Sequence, residues 1–483
     1  MTSGISTGTG RIVFLPAVGL AVAAFAVMLA AVLAPAIADA AGKKSPSRGS
    51  LVQKAGKRGC VVDRSTPKQG CATARALKGP GPFMGSRAIA LSPNGLNAYV
   101  ASSSSNAITI FKRNRRTGNL RQPKGSRGCI AAKGSNGCAK AIGLAGPNSL
   151  AVSRDGRNVY ATSRNSSSIT VFRRNRSTGA LKQLPPGSGC IAGLPIPGCA
   201  TGRALGGPDV VTISPDGRNV YAGSFLGSSI AIFNRDRATG KLTQPADETG
   251  CITAVATSGC AQGLGLSSPE GMAVSGDGQN VYVATAVSNA VISFTRDPAT
   301  GALTQAADGS GCIVQAALTG CTTGFQLSGA NAVAASPDDK HVYVTSLISS
   351  SLTAFDRTSA TGSLDQIPGA GGCVVWLGDS GCTPGRALRA PEGLAVSPDG
   401  ANVYVTAFSS GGVAVMNRFR SSGTVVQKTG RDGCVTVQSI AQCNAGRSLA
   451  GASSIVVSPD GRYVYVTAYN SNAVTTFRRV AGR

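Results

Sequence analysis

The cysteines of this chain fall into seven pairs, Cys60/Cys71, Cys129/Cys138, Cys190/Cys199, Cys251/Cys260, Cys312/Cys321, Cys373/Cys382 and Cys434/Cys443, with none left over. From Cys129 onward the first member recurs every 61 residues. So does a turn reading SPNG, SRDG, SPDG, SGDG, SPDD, SPDG and SPDG, which begins at residues 92, 153, 214, 275, 336, 397 and 458. A fixed period over seven copies points to a repeat architecture, in which each unit buries its faces against its neighbours.

Within one copy, GMAVS-GDG-QNVYVATA-VSN-AVISFTRD-PATG-ALTQAA alternates β-branched and apolar runs with Asp-Gly, Ser-Asn and Thr-Gly turns, the pattern of four short strands. Four strands in each of seven copies predict an all-β fold, a seven-bladed β-propeller over residues 51–483. LVQKAGKRGC at 51–60 matches VVQKTGRDGC at 425–434, the fourth strand of a copy, whereas AVTTFRRV near residue 480 is a third strand. The N-terminal segment is therefore expected to supply the outer strand of the last blade and close the ring.

Residues 1–40 read differently. Ile12 to Ile37 hold no charged side chain, follow Arg11, and precede Ala38 and Ala40, the small residues of a signal-peptidase site. A cleaved secretory signal is expected, with an uncleaved anchor as the alternative, since 26 apolar residues are long enough to span a bilayer. Residues 41–50 form a short basic linker. The protein is expected to be secreted or extracytoplasmic, a monomer, and without a membrane span once processed. Seven C-x8-C loops with no histidine partner do not make zinc sites, and in an exported chain they read as local disulfides.

Without residues 1–40 the chain keeps 46 basic against 20 acidic side chains, a net charge of +26. Outside the cytoplasm, anionic cell-envelope polymers are more natural partners for that charge than nucleic acid, and a protein partner is a further alternative. Solubility alone is the bland explanation.

The phrases SPDGRNVYV, SNAVTTF and FNRDRATGKLTQ resemble the YVTN-type, lactonase-like seven-bladed propellers, over residues 51–483. The resemblance implies a fold more than an activity, because the matching residues belong to strands and hairpin turns. It includes lactone-hydrolysing and lactone-forming enzymes, so a lactonase-type hydrolase and a binding module without turnover both stay open.

An internal repeat locates chemistry without an alignment. Residues identical in all copies serve the blade, among them the tyrosines from Tyr99 to Tyr465, the glutamines from Gln53 to Gln427 and the arginines from Arg113 to Arg479. The arginines are expected to pair with turn aspartates such as Asp216 and Asp399 rather than to hold an anion. Function is expected where the copies disagree. Arg87, Asn148, Asp209, Glu270, Asn331, Glu392 and Ser453 share one repeat position at the start of the first strand, which lines the central channel.

Three carboxylates and two amide oxygens there (Asn148, Asp209, Glu270, Asn331, Glu392) are hard donors suited to Ca2+ or Mg2+. The more distantly similar gluconolactonase-type propellers imply a divalent metal at such a place. Glu270, Glu392, Asp209 and Arg87 are then the catalytic candidates, the arginine as oxyanion partner. A second variable position holds Arg164, Phe225, Phe408 and Tyr469, which with Trp376 are the candidates for ligand contact. One histidine, His341, on the second strand, rules out a Ser-His-Asp or Cys-His centre at the mouth.

Overall fold

A computed structural model describes residues 45–81, 87–378 and 381–481. The segment read as a signal or anchor lies outside the described residues. No helix among the described residues is long and apolar enough to cross a membrane.

Seven sheets form a ring. In the second blade the innermost strand Pro147–Val152 pairs with Asn158–Ser163, which pairs with Ser168–Arg174, all antiparallel. The outer strand is broken, with Leu181–Gln183 and Cys190–Ala192 both pairing with Ser168–Arg174. Here the structure departs from four plain strands. Pro185 and Pro186 fall in this break, but the break does not depend on them: it recurs in blade four between Leu303–Gln305 and Cys312–Val314, where Ala306 and Ala307 stand instead. Gly189 then lies so close to Leu184 that a Cβ would sit 2.3 Å from its carbonyl oxygen. The cysteine loop folds back and adds a short parallel strand, Ala200–Thr201.

Each loop is closed by its own disulfide. The bonds are Cys60–Cys71, Cys129–Cys138, Cys190–Cys199, Cys251–Cys260, Cys312–Cys321, Cys373–Cys382 and Cys434–Cys443, at Cα separations of 4.7 to 5.0 Å. The local pairing is the one expected, and two details correct the sequence reading. First, the loops are not all alike: six span 9 residues, whereas Cys60–Cys71 spans 11. Second, the two members of a pair occupy different places. Cys60, Cys129, Cys190, Cys251, Cys312, Cys373 and Cys434 open the second half of the outer strand. Cys71, Cys138, Cys199, Cys260, Cys321, Cys382 and Cys443 belong to no regular strand and directly precede the short parallel one. The staple thus pins the returning chain against the blade's edge, which a plain connector between blades would not need.

The last blade is shared by both ends of the chain. Ala452–Val457, Tyr463–Ala468 and Ala473–Arg479 are completed by Leu51–Gln53, Cys60–Asp63 and Ala72–Ala74, as the sequence match predicts.

The apolar core lies between blades rather than within them. Tyr99, Ile108 and Ile110 of the first blade pack against Val159, Phe172 and Leu181 of the second, and the other joints repeat this. Each such side chain contributes about 1.5–3 kcal/mol on burial.

The identical arginines and tyrosines clasp the same joints on one face, called the lower, whereas the identical glutamines hold the loop backbone, as Gln183 does at the Ile142 and Gly189 carbonyl oxygens. In the joint between blades three and four, Arg296 Nε donates to Tyr221 Oη at 2.9 Å. Its Nη2 reaches Asp216 at 2.8 Å and Asn219 Oδ1 at 2.6 Å. Tyr221 in turn donates to the Gly301 carbonyl oxygen at 3.0 Å. The arginines thus pair with turn aspartates, as expected, but with those of the preceding blade. His341 fills the Asn219 place in blade five, where its Nδ1 lies 2.6 Å from Arg418 Nη2. In the last joint, Tyr404 donates to Gly49, so the N-terminal segment replaces a hairpin turn as well as a strand.

Candidate functional site at the upper channel mouth

On the opposite, upper face the innermost strands begin irregularly. Pro147 pairs with Ser163 and Ser149 with Thr162, which leaves Asn148 without a cross-strand partner. The same shift isolates Asp209, Glu270, Asn331 and Glu392, and in the last blade it spans Ser453 and Ser454. A β-bulge re-aims the extra side chain out of the strand's alternation. Six of the seven variable positions are therefore bulges; the seventh, Arg87, precedes the strand Ile89–Leu91, which pairs without a shift. Strands here pack so closely that a Cβ on Gly271 would lie 2.6 Å from the Asn331 carbonyl oxygen, which explains the glycine of PEG.

Donor side chains at these bulges stitch a blade to the next one. Asn331 Nδ2 donates to the Pro391 carbonyl oxygen at 2.8 Å, and Ser453 Oγ to that of Pro80 at 3.2 Å. Thr345, which sequence reasoning did not single out, holds the other end of Asn331 by donating to its Oδ1 at 2.8 Å. Carboxylates stand at three of these positions, Asp209, Glu270 and Glu392, and an ionised carboxylate has no proton to donate to such a carbonyl. All three are nevertheless about 1% exposed.

Asp209 is held otherwise. Its Oδ1 accepts from Asn148 Nδ2, and its Oδ2 lies 3.2 Å from Arg164 Nη1. Burial outweighs both and pushes its pKa up to about 6. Glu270 Oε1 accepts no hydrogen bond among the described residues. Burial, then the charges of Asp209 and Glu392, raise its pKa well above the usual carboxylate range, with Arg164 opposing. Arg87 Nη2 reaches the Val333 carbonyl oxygen of blade five at 3.2 Å, a contact between blades that are not neighbours in the ring. Burial lowers its pKa.

The second variable position splits into two groups. The Arg164 guanidinium lies 4.5 Å from the Phe225 ring centroid, which links Phe225 to Asp209 through one arginine. Phe408 and Tyr469 form a tilted pair with centroids 6.5 Å apart. Trp376 stands apart from both, on the outer strand Cys373–Trp376, where it packs partly against the core between blades five and six.

The structure thus joins Asn148, Asp209, Glu270, Arg164 and Phe225. It commits both ends of the Asn331 amide to structural bonds. Among the described residues, no three histidine, cysteine, aspartate or glutamate side chains gather closely enough to hold a metal ion. As placed here the five nominated donors do not form a cation cage. The cysteines supply no chemistry to the mouth either. Those from Cys71 and Cys138 to Cys443 are all oxidised, and they sit at the opposite end of each sheet from the innermost strand.

Residues 137–187, 201–310 and 269–436, together more than half of the chain, match the family described as lactonase, seven-bladed β-propeller. The chain belongs to that family. No curated protein matches it. Among solved structures, a Bacteroides uniformis protein provisionally named a 6-phosphogluconolactonase superposes over 78% of this chain and 89% of its own, with TM-score 0.51 at 20% identity. The periplasmic gluconolactonase of Pseudomonas aeruginosa gives 0.51 at 17% identity, over 78% and 90% of the two chains. Hydrazine synthase of Kuenenia stuttgartiensis gives 0.51 at 18%, over 83% and 97%. Likeness at such identities is a likeness of fold, and one fold hosts several chemistries.

Proposed function

We propose that the upper channel mouth binds a small polar ligand, with a sugar lactone or its ring-opened acid as the first class to test. One observation supports this above all: three of the six bulges carry a buried carboxylate at the position where asparagine or serine elsewhere stitches two blades together. Burying such groups costs stability, so a ligand that donates hydrogen bonds to them accounts for their presence. Arg164 and Phe225 then form the wall that orients it, and Phe408, Tyr469 and Trp376 extend the upper surface.

Thermal unfolding of the wild type with a panel of lactones and aldonic acids tests this. A saturable rise in Tm, abolished in Asp209→Asn, is expected; no shift with any member would end the proposal. Acid release measured on the same panel separates binding from turnover.

A second reading, lactone hydrolysis assisted by Ca2+ or Mg2+, draws support from the uncommitted Oε1 of Glu270. It requires the carboxylates at 209, 270 and 392 to draw together around the ion. Millimolar cation should then raise Tm in wild type and not in Glu270→Gln. Export completes the proposal: the seven disulfides fit an oxidising, extracytoplasmic compartment, and a mature N-terminus near Ala41 is expected from N-terminal sequencing.

A further inference from the structure

The net charge of the propeller is confined to one side of the ring. Blades one and two, residues 81–207, contain 18 lysines and arginines against one acidic residue, Asp155. Blade seven, residues 452–483 with 45–80, contains 12 against two. Blades three to six, residues 208–451, contain 14 against 17. Three neighbouring blades therefore hold the entire excess, while the other four are slightly acidic. Charge kept for solubility alone has no reason to avoid four of seven copies of one repeat.

On the lower face this charge lines two hollows. One, of about 610 Å³, is bordered by Arg115, Arg116 and Arg462 where blade one meets blade seven, together with Asp460, whose charge Arg113 pairs. The other, of about 1160 Å³, lies at the joint of blades two and three and includes Arg157, Arg173 and Arg176. These six arginines make no ion pair among the described residues. The Asp236 carboxylate in the larger hollow is taken by Thr239. Midway between the hollows, the clasp of blades one and two is the one in which the turn residue is Asn94 instead of aspartate, 3.4 Å from Arg174 Nη2. Six joints keep a carboxylate at that place; the one inside the basic sector lacks it.

We infer that the lower face of blades seven, one and two is a docking surface for a linear anionic glycan, a polymer whose sugar units bear phosphate, sulfate or carboxylate groups. Two separated hollows suit a chain that passes from one to the next better than a flat bilayer. A membrane-binding face also needs a cluster of exposed apolar side chains; the lower turn of blade one offers Leu96, 38% exposed, whereas Leu226, Val287 and Ile348, 64 to 69% exposed, stand on the upper turns of blades three to five. Single-stranded nucleic acid is usually read by exposed aromatic rings; Tyr463, beside Arg113, is 6% exposed. Guanidinium forks match phosphate, sulfate and carboxylate in pairs of hydrogen bonds.

The test is binding of the full chain to labelled heparin and to polygalacturonate across a salt series, with phosphatidylglycerol vesicles and duplex DNA as competing arms. Both glycans should bind, with affinity falling steeply between about 50 and 200 mM salt. The triple Arg115→Gln, Arg116→Gln, Arg176→Gln should weaken binding at least about tenfold and flatten the log–log salt slope by about 2. The same three positions changed to lysine should bind within about threefold of wild type, which separates charge from any fault in folding. Lys340→Gln, Arg389→Gln, Arg431→Gln, on blades five and six and outside both hollows, should change little. Equal losses from the two glutamine triples, or tighter binding of vesicles or DNA than of either glycan, would overturn the inference.

Discussion

The lower face and the channel mouth treat carboxylates in opposite ways. In the clasps, the hydrogen bonds of serine, arginine and turn backbone outweigh partial burial and hold Asp155, Asp216, Asp277, Asp338, Asp399 and Asp460 below the usual aspartate range. At the mouth, burial dominates and lifts Asp209 and Glu270 above it. The first set binds blades together with fully partnered charge. The second is a liability for the fold, and that contrast separates construction from function in a molecule whose parts are otherwise copies.

The comparison breaks most readily at a clasp. Arg296→Met leaves Asp216, Tyr221 and Asn219 without their shared partner and should cost about 3–5 kcal/mol in urea unfolding. Glu270→Gln, equally buried, should cost nothing measurable near neutral pH; equal losses would erase the distinction. Removing one staple, Cys251→Ser with Cys260→Ser, should cost about 2–3 kcal/mol in the chain-entropy model.

The pH profile sharpens the contrast. A raised folded-state pKa at Asp209 means stability present below about pH 4 and lost as pH climbs through about 6, by about 3 kcal/mol. Glu270 carries the loss to higher pH. Lowered values in the clasps mean stability present above about pH 4 and lost as pH falls below it. The urea midpoint should therefore peak near pH 4–5, and Asp209→Asn should flatten only the upper limb. A smaller effect is expected from His341→Asn, which restores the residue of most copies. Burial and Arg418 lower the histidine's pKa, so its contribution fades as pH drops below about 6.5.

Much of the architecture was legible because the sequence repeats itself. The period gave the blade number, the match of 51–60 with 425–434 gave the closure, and cysteine order gave the seven pairings. That the chain beyond each second cysteine returns to the blade as an extra strand was not legible, since two or three residues such as Ala200 and Thr201 carry no periodic pattern. The partner of each clasp arginine was also hidden, because own-blade and neighbouring-blade aspartates are identical in sequence and only packing chooses between them. At the mouth, the variable position was visible, but the bulge that turns Asp209 and Glu270 out of their strands has no residue signature. Nor did sequence show that Asn331 spends its amide on Pro391 and Thr345. Charge was known only as a total until the ring assigned residues to neighbouring blades.

Closure by the two ends of the chain also sets an order in time. Leu51–Gln53 and Cys60–Asp63 are made first, yet their hydrogen-bonding partner Ala473–Arg479 is made last. For almost the whole of synthesis these strands wait with unpaired edges. A product cut short within the last blade cannot close, and presents an open seam to proteases instead of a ring. The joint that completes the fold thereby reports whether the seventh blade was made.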